Sequence, residues 1–100
     1  MSNKPVGAYE LADMKDCALP NPVAPGFQEV KKGLIGGDYT PVLYVGTQVV
    51  HGVNHMLICK QRLAAAGAPE HLVELVMNQC PEEGGPLTGK WSIVTVEQII

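Results

Sequence analysis

Gln48-Val49-Val50-His51-Gly52-Val53-Asn54-His55 sets a sharp turn signal between two segments rich in strand-forming residues. Val49 and Val50 are stiff, β-branched and favour extended backbone, whereas Gly52 can take a positive φ that they cannot. The stretch therefore reads as the tip of a β-hairpin, with a mildly apolar loop projecting from a sheet. Upstream, Thr40 to Val50 is β-rich, and Pro41 is acceptable at the start of a strand or on a sheet edge. Downstream, Gly52 to Arg62 contains Met56-Leu57-Ile58-Cys59, an apolar run that a sheet covered on one face could use. The two segments together predict the first hairpin.

Farther towards the C-terminus, Lys90 to Gln98 reads as a strand in which Trp91, Ile93 and Thr95 alternate with Ser92, Val94 and Val96, leaving both faces fairly apolar. Leu63 to Cys80 is harder to read. Pro69-Glu70-His71-Leu72-Val73-Glu74-Leu75-Val76-Met77 would pass as an amphipathic helix with Pro in first position and Leu72, Leu75 and Val76 as its stripe. The same residues also fit a strand, with Val73, Leu75 and Met77 on one face. On the N-terminal side, Phe27, Val30 and Leu34 recur at helical spacing, with Pro25 suited to a first turn, Glu29 early and Lys31-Lys32 late. This predicts a helix of about ten residues, stopped by Gly36-Gly37. Before it, Tyr9 to Ala12 reads as a short strand and residues 1–8 as a flexible tail.

A second stretch, Cys80-Pro81-Glu82-Glu83-Gly84-Gly85-Pro86-Leu87-Thr88, follows the first hairpin at a distance that matches a known order of strands. Gln48-Val49-Val50-His51-Gly52 resembles the Gln-x-Val-x-Gly hairpin of the cystatins, and the residues from Cys80 to Thr88 resemble the second hairpin of their intracellular stefin branch. Secreted members usually carry Pro-Trp in that second loop, a motif that Trp91 does not supply. The similarity spans roughly residues 40–98 and fades before them. It implies one α+β domain over residues 1–100, with a cystatin-like antiparallel sheet of four to five strands wrapped around one helix. It also implies a strand over 69–80, against the helical reading, with Ala64 to Pro69 as the turn before it.

The function implied by the resemblance is reversible, competitive, non-covalent inhibition of papain-like cysteine proteases. In such inhibitors an N-terminal segment and two hairpin loops form a wedge that blocks the protease cleft. By motif position, Gln48, Val49, Val50 and Gly52 form the first loop, with His51 at its variable position, while Cys80 and Pro81 form the contact part of the second. Gly7 is the candidate for the family's early glycine, set against the plainer reading of a flexible tail. The predicted helix is shorter than the family's, and His55 stands where the family usually has Tyr. These departures keep open a rival reading, a non-inhibitory protein-binding module on the same scaffold. A helix over 69–80 would instead favour an enzyme or ligand-binding domain of different topology. Cystatin-like hairpins can exchange between chains, so the expected inhibitory form is a monomer and a domain-swapped dimer is the alternative.

Composition narrows the remaining classes. One hundred residues suffice for one modest core. A net charge of -3, with seven Lys and Arg scattered along the chain, leaves no basic footprint for nucleic acid. No run approaches the roughly 20 apolar residues of a membrane span, and Met1 to Pro5 lacks the apolar core of a secretory leader. Cys17, Cys59 and Cys80 are an odd set without metal-type spacing, which fits a reducing cytoplasmic setting, with a processed extracellular form as the alternative. Cys59 with His51 or His55 would offer a thiol and a base, but Cys59 sits in an apolar strand and reads as a small buried hydrophobe. His51, His55 and His71 lack the spacing of a metal site and read as solvated loop residues. Neither a cofactor nor catalysis is expected. Trp91 has two readings, a plug beneath the loops or an anchor at their face.

Overall fold

The structure, a computed structural model, describes residues 11, 12, 14–65, 67–81 and 89–100. Helix α1 (Val23–Lys31) is followed by strands β1 (Gly37–Val50), β2 (Gly52–Leu63), β3 (Glu70–Cys80) and β4 (Lys90–Gln98). The four strands form one antiparallel sheet in sequence order, so each strand pairs with the next along the chain. One helix and a four-stranded antiparallel sheet make this a small α+β fold. No helix among the described residues is long and apolar enough to cross a membrane.

The helix is nine residues long and starts two residues before the expected Pro25. The carbonyls of Pro20 and Pro22 accept from the amides of Ala24 and Gly26 at 2.9 and 3.1 Å, which extends the first turn backwards. Pro25 is tolerated in that turn because its missing N–H falls among the first amides of a helix. Leu34 lies beyond the helix, and Gly36, with φ +89°, turns the chain into β1. Val23, Gly26, Phe27 and Val30 are the buried stripe, at the i, i+3, i+4 and i+7 spacing of one helical face. Of the strand expected over 9–12, residues 9 and 10 lie outside the described residues, and Leu11 and Ala12 are not in a strand.

Residues 70–80 form a strand, not a helix. Val73, Leu75 and Met77 are buried in alternation, opposite Cys59, Leu57 and His55 of β2. Against them pack Val23, Phe27 and Val30, and together with Tyr39, Leu57 and Cys59 these residues make the core. Fully burying a side chain of this kind contributes about 1.5–3 kcal/mol, so this layer is the main stabilising element. β1 begins at Gly37, three residues before the expected start, and Pro41 is the fifth residue of an edge strand, where its missing donor is harmless.

Strand β4 departs from simple alternation. Its register with β3 shifts between Val76 and Met77, so that Thr95 opposes Val76 while Ile93 opposes Met77. The residues that pack on the core are consequently Trp91, Ile93 and Val96, and Thr95 is exposed. Trp91 follows the core reading: it packs against the core, and a Cβ on Gly26 would overlap its indole, so the glycine lets helix and ring approach closely.

Candidate functional site

The first hairpin is as tight as its sequence predicts. Val50 pairs with Gly52, Val49 with Val53 and Gln48 with Asn54, leaving His51 alone at the tip. Gly52 has φ +83°, and a Cβ there would overlap the carbonyl oxygen of Gln79. The turn thus rests its backbone on the end of β3, where no larger residue would fit. Cys80 closes that strand and Pro81 follows it, exposed. Gly89, at φ +71°, returns the chain beside the Cys80 carbonyl and Pro81 on its way into β4.

The structure therefore gathers Gln48, Val49, Val50, His51, Gly52, Cys80 and Pro81 at one end of the sheet. Val49 is 84% exposed and Val50 46%. No charged side chain occurs between Gln48 and Asn54, so the tip of the first hairpin presents small apolar groups on a narrow ridge, while exposed Lys90 pairs with Cys80 beside it. Gly7 and the stretch from Glu82 to Thr88 lie outside the described residues.

Directly beneath the ridge lies a polar frame that sequence reading missed. His55 is 5% exposed, which corrects its reading as a solvated loop histidine. It lies on the same strand face as Leu57 and Cys59, and its position two residues before Leu57 is the signal that places it inward. Its Nε2 meets Gln79 Oε1 at 3.0 Å and its Nδ1 meets the Tyr44 hydroxyl at 2.8 Å. The carbonyl-type oxygen of Gln79 can only accept, so Nε2 donates to it, and in the neutral imidazole the Tyr44 hydroxyl donates to Nδ1. The imidazole centroid is 5.2 Å from that of Trp91, a tilted ring contact. One side chain of β2 thus touches β1, β3 and β4.

A second polar row crosses the opposite face. Asn54 Nδ2 donates to Gln48 Oε1 at 3.4 Å, and Asn78 Nδ2 donates to Asn54 Oδ1 at 2.9 Å and to the His51 carbonyl at 3.1 Å. Asparagine is depleted in strands, so Asn54 and Asn78 were the sequence signal for this row.

The thiols are all free: Cys59 is buried, and Cys17 and Cys80 are half-buried. Burial pushes the Cys59 thiol up from 9.0 to about 12; the nearby Cys17 and Asp16 act in the same direction and Lys31 against it. His55 and Cys59 are four residues apart on an extended strand, roughly 13 Å by strand geometry. Both imidazole nitrogens are engaged by Tyr44 and Gln79. His55 is therefore not placed to activate that thiol.

No protein-family model, curated protein or solved structure matches this chain.

Proposed function

We propose that this chain is a reversible, competitive, non-covalent inhibitor of papain-like cysteine proteases on a cystatin-like scaffold. The observation that carries the reading is the convergence of two motif stretches, Gln48 to Gly52 and Cys80-Pro81, into one exposed ridge. A ridge of this kind fills a cleft with Val49 and Val50 while its tight turn keeps the main chain curled. A curled turn cannot lay an extended peptide bond against a nucleophilic thiol, so it obstructs without being cut. Gly7 would add the N-terminal contact that the resemblance implies. The role is binding, and no residue is assigned to catalysis.

The rival reading, a non-inhibitory binding module, draws on the nine-residue helix and on His55, both departures from the cystatin pattern. Titration of the purified protein against papain with a fluorogenic peptide substrate separates the two. Saturable, competitive inhibition that a folded Val49→Asp variant loses supports the wedge, because Val49 is exposed at the ridge and its replacement leaves the turn intact. A folded wild-type monomer without effect at micromolar concentration favours the binding module.

A further inference from the structure

We infer that Asn78 is a positioning residue that tethers the tip of the first hairpin to the strand carrying the second contact segment. The inference deepens the inhibitory reading and rests on it for its functional consequence, although the tether itself can be tested independently.

His51 stands between the paired residues Val50 and Gly52, outside the β1–β2 ladder. Its carbonyl is therefore a tip acceptor that hairpin pairing does not use, and Asn78 Nδ2 reaches it at 3.1 Å from β3. The same NH2 group donates its other proton to Asn54 Oδ1 at 2.9 Å, and Asn54 passes the link to Gln48 at 3.4 Å. Both donors of one amide are thus committed, which fixes its orientation. With the packing of Gly52 on Gln79, the tip touches β3 at two places.

The consequence concerns alignment. Asn78 lies two residues before Cys80 and three before Pro81. Motion of the first hairpin tip relative to β3, and so to the Cys80–Pro81 segment that continues it, is therefore opposed by the Asn78 bonds. A tip held in its binding posture loses less conformational freedom when it docks. A freed tip is competent for only part of the time, and its apparent affinity falls by that fraction.

Asn78→Ala and Asn78→Asp in the full chain test this. The first removes the side-chain amide, while the second keeps its size and loses both N–H donors. Glu74→Ala, on the same face of β3, is the control. Amide hydrogen exchange at residues 50–53 is expected to accelerate about tenfold in both Asn78 variants, the scale of one or two lost hydrogen bonds. Exchange at Leu57 and Leu75 should remain as in wild type, as should all exchange in the control. Papain dissociation constants should rise by a similar factor in the two variants. Unchanged exchange at the tip overturns the tether, and acceleration throughout the sheet overturns a local positioning role in favour of general stability. Accelerated tip exchange with unchanged inhibition overturns its functional consequence. If the wild type itself fails to inhibit papain, the inhibitory reading fails, and tip exchange alone upholds or overturns the tether.

Discussion

Leu57 and His55 lie two residues apart on the same face of β2, at 0% and 5% exposure, yet they are held by different interactions. Leu57 belongs to the apolar layer between helix and sheet, where burial is non-directional and shape carries most of the stability. His55 sits at the loop end, where both ring nitrogens need partners at defined positions on β1 and β3. The difference teaches that the sheet's middle supplies stability, while its end supplies a fixed loop geometry. Burial acts over an area, whereas a hydrogen bond acts only in one arrangement.

The comparison breaks first at Phe27. Truncation to Ala should cost about 3–5 kcal/mol, because the ring is 1% exposed and its removal takes a large apolar group out of the core. Urea unfolding would measure it, and a loss under roughly 1 kcal/mol would mean that the helix does not anchor the core. A smaller loss is expected at the helix–Trp91 contact. Gly26→Leu should destabilise by about 2 kcal/mol, since overpacking against the indole of as much as about 3 outweighs the roughly 1 kcal/mol gained in helix propensity. Trp91 fluorescence should shift in the same variant, and an unchanged spectrum at unchanged stability would contradict the close contact.

At the loop end, His55→Leu should cost about 1–2 kcal/mol, because Tyr44 and Gln79 each lose a partner while the new side chain adds apolar burial. The sharper measurement is a double-mutant cycle with Tyr44→Phe, where a coupling near zero would deny the hydrogen bond its role. The least abrupt effect is on pH dependence. The folded chain holds the Cys59 proton up to about 12, whereas an unfolded thiol releases it near 9.0. The corresponding stability is therefore fully present below 9.0 and is lost as pH rises from there towards 12. Burial also raises the Tyr44 pKa above 10.0, which adds loss of the same sign at higher pH. Urea midpoints measured on the alkaline side should fall less steeply in Cys59→Val than in wild type, and equal slopes would remove Cys59 from the account.

The first hairpin was legible because its information is local. A pair of β-branched residues, one tip residue and a glycine suffice to specify a tight reversal. The core stripe of α1 was legible through Phe27 and Val30, although the prolines drew its start to 25 and hid the turn that Pro20 and Pro22 extend backwards. Residues 70–80 could not be decided locally, since their apolar positions satisfy two periods at once. Pairing with both β2 and β4 selects the alternating period, which buries Val73, Leu75 and Met77.

For the candidate site, the sequence marked the residues of the ridge but not what supports them. His55 reaches partners 11 and 24 residues away, and Asn78 reaches the tip across 27. Such distances along the chain carry no periodic signal. The sequence by itself determined the turn at Gly52, the helical stripe and the exposed valines, because backbone sterics and side-chain period act within a few residues. Only the tertiary structure decided that 70–80 is a strand, that Trp91 lies on Gly26, and that His55 and Asn78 link the first hairpin to β3. Those outcomes depend on strand register and on polar groups finding partners once water is excluded, which no local stretch can specify.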